Sequence, residues 1–172
     1  MILPFSTQLN GKPTYFVEKI LIGIDKYIGV YHTELFLKSF QEKFKSKPPA
    51  NYSAKIHTIR EDKKDRWKVG TEIHFFINCR QKDMFRFAPV LQVVSVQKIT
   101  VLWYRQECNA FLEYKYTYKN RNARVYIDGA AIKKEAIEQL SKNDGFDTPE
   151  EFFEYFNENF TGKLIHWTDL KY

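Results

Sequence analysis

The stretch Lys55-Ile56-His57-Thr58-Ile59-Arg60 places an amine, a hydroxyl and a guanidinium within six residues. If it is extended, Ile56, Thr58 and Arg60 share one face, and Lys55, His57 and Ile59 share the other. Lys55 stands at the entrance, where a long stem can bring its amine round to the Thr58 side. Two kinds of chemistry fit. Kept charged, the lysine and arginine meet a phosphate or a base edge. With the lysine neutral, it could take the proton of the Thr58 hydroxyl, which is a poor nucleophile otherwise. An ordinary half-buried strand with solvated Lys and Arg uses the same residues.

A second candidate stretch lies downstream. Leu112, Tyr114, Tyr116 and Tyr118 alternate with Glu113, Lys115, Thr117 and Lys119, a period of two that predicts a strand with a tyrosine face. Beside Lys115, Lys119, Arg121 and Arg124, that face could stack bases while the cations meet phosphate. It could equally pack on the rest of a sheet.

Composition bounds the reading. At 172 residues with 44% apolar and 28% charged residues, the chain is long enough for one domain with a real core. Its 27 Lys and Arg against 21 Asp and Glu leave +6, which favours phosphate-bearing partners without requiring them. Cys79 and Cys108 form no CxxC pattern, so neither a zinc site nor a disulfide scaffold is expected, and reduced thiols fit a cytoplasmic location. No two of the four histidines stand at ligand spacing, so neither metal nor cofactor is expected. No apolar run is long enough for a membrane span.

Local patterns along the chain predict the helices and strands that carry these groups. Residues 2–5 form a short edge strand containing Pro4, and Asn10-Gly11-Lys12-Pro13 is a turn. From Thr14 the spacing of Phe16, Ile20 and Leu21 predicts a helix with Gly23 as its C-cap. A second helix spans 33–45 with Phe36, Phe40 and Phe44 in a stripe and Thr33 as N-cap. Residues 61–66 make a charged loop closed by Trp67, and Gly70 turns the chain into a strand through Phe76. The apolar run 88–96 predicts one strong strand with Pro89 near its start, and 99–104 continues extended. A short strand 124–127 stops at Asp128-Gly129. A helix over 130–142 follows and ends at Asp144-Gly145-Phe146. Thr148-Pro149-Glu150-Glu151 has capping-box spacing, opening a helix from 149 to about 159, and 163–167 is a last strand.

Taken in order, Lys55 to Arg60, Trp67-Lys68-Val69-Gly70 opening a strand, the strand around Val94 and a helix ending in Asn143-Asp144-Gly145-Phe146 resemble the ASCH domain of the PUA-like group, in particular its uncharacterised phage- and Bacteroides-type members. The resemblance extends to residues 16–23, 148–156 and 164–170; residues 24–53 and about 105–124 stand as insertions. It implies an α+β fold, a small mixed β-barrel flanked by helices, over the whole chain. It also implies RNA, or a modified nucleobase or nucleoside, bound in a polar cleft. One branch is similar to N4-acetylcytidine amidohydrolases. Carried over, the catalytic lysine and threonine fall on Lys55 and Thr58, and the acidic position on Asp144, one methylene shorter than that branch's glutamate. Arg60, Trp67 and His57 are the candidate ligand-binding residues, with Trp67 or a tyrosine of 112–118 stacking on a base. On this reading Lys55→Ala abolishes deacylation and leaves the fold intact. A third alternative is a phage or host interaction protein with a degenerate cleft.

Overall fold

Apolar residues at three- and four-residue spacing build helix α1, Phe16–Ile28, whose Val17, Ile20, Leu21 and Ile24 are all buried. The computed structural model describes residues 1–29, 32–47, 52–104 and 112–172. Gly23, expected to end α1, lies within it; the helix ends instead on left-handed Gly29. Gly23 answers a different demand. A Cβ there would stand 2.6 Å from the Lys55 carbonyl oxygen and 3.0 Å from Ile56 Cγ2. Glycine therefore lets the chain entering the Lys55 stretch cross α1 at backbone contact, where Lys55 N donates to Lys19 O at 2.9 Å. Gly23→Ala is expected to destabilise the protein by about 1–3 kcal/mol, read as a lower urea midpoint at unchanged slope. An unchanged midpoint would mean the crossing relaxes freely.

The first sheet is centred on β5 (Glu72–Ile77). Strand β1 (Ile2–Phe5) runs parallel on one side, and two two-residue strands, β6 (Phe85–Arg86) and β7 (Leu91–Gln92), run antiparallel on the other. The single strand expected over 88–96 is thus broken. Pro89 has no N–H to give a ladder, and the chain changes sheets just beyond it: Val93 N bonds Thr71 O at 2.9 Å, and Val94 N bonds His166 O at 2.8 Å. Between β1 and α1, β2 (Gln8–Leu9) and β3 (Lys12–Pro13) form a hairpin over the left-handed pair Asn10-Gly11. Helix α2 (Thr33–Phe44) starts on the residue expected as its cap, so that His32 stands at N-cap instead, with Thr33 Oγ1 within 3.3 Å of Asp25 Oδ1. Its Phe40 joins the first apolar cluster with Phe5, Phe75, Trp67 and Trp167.

The second sheet is antiparallel, in the order β11-β10-β8-β12-β4, with β9 on β10. Its strands are β4 (His57–Arg60), β8 (Ser95–Tyr104), β9 (Tyr116–Tyr118), β10 (Arg121–Ile127), β11 (Ala130–Ala131) and β12 (Phe160–His166). The second cluster fills the space under it, joining Ile59, Val101, Val125 and Leu164 to α3 (Lys134–Asn143) and α4 (Pro149–Tyr155).

Three expectations fail here for local reasons. Residues 112–114 form a 3₁₀ turn, so the tyrosine strand is only β9, and Tyr116 stacks on Phe153 with ring centroids 4.7 Å apart. Ala130-Ala131 pairs with β10 because Asp128 and Gly129, both at positive φ, make a tight hairpin turn rather than a stop before a helix. Helix α4 ends at Tyr155, since β12 already begins at Phe160. The cap of α4 forms as read, with Thr148 Oγ1 accepting from Glu151 N at 3.3 Å.

Among the described residues the architecture is α+β, with four helices and two main sheets. No strand pairing joins the two sheets among the described residues, so a closed barrel is not formed by these ladders. Of the expected insertions, the first supplies the end of α1 and all of α2; residues 105–111 of the second lie outside the described residues. No helix among the described residues is long and apolar enough to cross a membrane.

Candidate functional site

Strand β4 is the edge of its sheet, so its outer backbone groups need partners from elsewhere. The C-terminus of α3 supplies them. Ile56 N donates to Asn143 O at 2.9 Å, and Ile59 N donates to Asp144 Oδ1 at 3.2 Å. Asp144 is the C-cap of α3, and Gly145 after it, at φ 90°, turns the chain back. A Cβ on Gly145 would meet Phe16 at 2.9 Å and Lys55 Cδ at 3.0 Å. This corner is therefore packed tightly onto the lysine stem.

Lys55 is 1% exposed. Its Nζ donates to Asp144 Oδ1 at 2.6 Å and to the Asp144 carbonyl, at a helix end whose dipole favours a cation. The amine lies 4.8 Å from the Phe16 ring centroid and 5.9 Å from that of Phe5. Arg60 stands over the same Phe5 ring at 5.1 Å, and its Nη2 donates to Pro4 O at 2.6 Å. Thr58 is buried on the Arg60 side of β4, opposite Ile165 of the first cluster. The amine thus swings toward the side that carries Thr58 and Arg60.

Burial dominates the protonation of the pair. It pushes Lys55 down to about 8, with the Asp144 carboxylate opposing and the Arg60 and Lys19 cations assisting. It pushes the Asp144 carboxyl up, although Lys55, Arg60 and the Ile59 N–H hold it back. A lysine at about 8 is neutral in roughly a tenth of molecules at neutral pH.

Two other candidates lie apart from this pair. Trp67 is buried among the first cluster, its backbone held by Asp62 and Lys163. His57 points to the opposite face of β4, where its ring centroid is 5.2 Å from that of His166 and 5.6 Å from that of Tyr172. No ring nitrogen of His57 or His166 has a hydrogen-bond partner among the described residues. Burial depresses both, His57 well below the usual range and His166 to about 4. The pairing escaped the sequence reading because β4 and β12 lie far apart in the chain. Among the described residues no three His, Cys, Asp or Glu side chains converge to hold a metal ion.

A cavity of about 380 Å³ opens beside the Lys55–Asp144 pair, between the β2–β3 hairpin and the corner joining α3 to α4. Phe16 and Gly145 line it, and both also touch the Lys55 stem or amine, so they form the wall between cavity and pair. Lys19, also buried, reaches the same corner: its Nζ donates to Gly145 O at 2.8 Å and to Asp147 Oδ1 at 2.6 Å. The sequence reading missed Lys19, although a lysine three residues after Phe16, on the face of the helix that carries Phe16 and Ile20, was the available signal. It also missed Tyr155, which lines this cavity and two neighbours, one reaching Trp103 and Arg121 and the other reaching Arg60.

No family model, curated protein or solved structure matches this chain. Any functional reading rests on the geometry just described and on the order of the sequence motifs.

Proposed function

We propose that this chain is a PUA-like protein resembling the ASCH family and that it binds a nucleobase or nucleoside, in RNA or free, in the cavity beside Lys55 and Asp144. The observation that carries this reading is the buried amine of Lys55, paired at 2.6 Å with a carboxylate 89 residues away and packed against Phe16 and Gly145, which line the cavity. Burying two charges costs several kcal/mol per ion before their attraction is counted, and apolar replacements often hold a fold equally well. A role at the adjoining cavity gives the pair a reason to be there. Titration calorimetry with cytidine, N4-acetylcytidine, adenosine and short RNAs tests the reading. Heat with none of them, with the protein shown folded, removes it.

A second reading, deacylation of an N4-acylated cytidine, is favoured by the depressed Lys55. The neutral amine would take the Thr58 hydroxyl proton as Oγ attacks the acyl carbon. The C–N bond would break with that proton passing to the leaving amine, and water would then release the acid from Thr58. Reaching these groups requires Phe16 and the Gly145 corner to part, so binding stands first. Acetate released from N4-acetylcytidine, and lost in Thr58→Val, supports catalysis; no release at any pH from about 6 to 9 ends it.

A further inference from the structure

Helix α4 turns its phenylalanines inward: Phe152 and Phe153 are buried in the second cluster. Tyr155 does the reverse. It is 48% exposed and stands at the junction of the three adjoining cavities, its ring braced against Phe156 at 4.8 Å and Phe146 at 5.7 Å. A half-exposed aromatic ring supported from behind is a platform on which another flat ring can stack.

The α4 side of that platform is acidic, while Lys119, Arg121 and Arg60 line the two neighbouring cavities. Positions 144–158 carry Asp144, Asp147, Glu150, Glu151, Glu154 and Glu158 and no Lys or Arg, although the whole chain is at +6. Asp147, Glu151 and Glu154 line the cavity. Lys19 pairs with Asp147; Glu151 accepts the Asp147 N–H at 3.1 Å; Lys119 approaches Glu154 only to 3.7 Å. Lys12 is the remaining cation of the described lining. Each carboxylate has acceptor sites beyond these contacts. Against the α4 carboxylates, N–H donors are attracted and a phosphate is repelled, the opposite of a groove that tracks a nucleic-acid backbone.

We infer that the ligand is a planar ring bearing N–H donors and no phosphate, stacked on Tyr155 with its donors toward Glu151 and Glu154. This rests on the nucleobase reading above and narrows it from RNA to the free base or nucleoside. The test is calorimetric titration of cytidine and adenosine against their 5′-monophosphates and a short single-stranded RNA, at low and high salt. The nucleosides are expected to bind roughly tenfold tighter than the monophosphates at low salt. The gap should close at high salt and in Glu151→Gln/Glu154→Gln. Tyr155→Leu should weaken nucleoside binding about tenfold or more, and Tyr155→Phe should retain it. Monophosphate or RNA binding as tight as nucleoside binding overturns the inference and leaves the nucleobase reading standing, as does an unaffected Tyr155→Leu. If no nucleoside binds, both fall together.

Discussion

Lys55→Ala is expected to lower the stability of the folded protein by about 3–5 kcal/mol, a large part of what holds an ordinary domain together. The substitution leaves the buried Asp144 carboxylate with the Ile59 N–H as its described hydrogen-bond donor and the Arg60 charge at longer range, and it empties space beside Phe16 and Phe5. This revises the expectation that Lys55→Ala would leave the fold intact, because the side chain is buried to 1% exposure. Removing both charges at once should be milder: Lys55→Met with Asp144→Asn keeps the stem's volume and an oxygen for Ile59. Urea titrations of the two single variants and the double variant form a cycle. A double variant as unstable as the sum of the singles would show that the two side chains are not energetically coupled. If coupling is found, the double variant is the one in which lost binding can be read without lost folding.

Acidification should weaken the protein through the His57–His166 pair. Burial holds His166 at about 4 and His57 well below its ordinary value, with Lys55 and Lys171 assisting and Asp128 opposing at His166. Both rings titrate near 6.5 in the unfolded chain, so below that pH the unfolded state binds more protons and the folded state loses ground. The stabilisation is complete above about pH 6.5 and disappears as the pH falls toward the folded values. For His166 alone the depression corresponds to about 3 kcal/mol. Unfolding free energies at about pH 7.5 and pH 4.5 should therefore differ by most of that, roughly 2–3 kcal/mol, more in the wild type than in His166→Leu. Equal slopes in the two proteins would assign the acid sensitivity to carboxylates instead.

What the sequence made legible was local. Thr148, Pro149 and Glu151 specify the start of α4 by a cap that involves only neighbours, and the alternation of His57 to Arg60 fixes which faces β4 presents. The apolar stripe of α1 needed no knowledge of its partner. Illegible features depend on what arrives from elsewhere. Gly23 reads as a helix stop until the Lys55 carbonyl is seen crossing it. The run around Pro89 reads as one strand until its halves are found on two sheets. At the candidate site, Lys55 stood out by residue type and Asp144 only by resemblance; the depth of both, and the cavity beside them, come from the docking of α3 on β4. Tyr155 carried no signal, because one more aromatic in a phenylalanine-rich helix reads as packing.

The closure of β4 by the end of α3 has a cost outside ligand binding. Parting that corner to reach Lys55 would free the amides of Ile56 and Ile59, turning a sealed border into a template onto which a strand of a second molecule could add. Access to the amine and resistance to aggregation are therefore opposed in this fold, and variants that open the corner more readily should begin to self-associate.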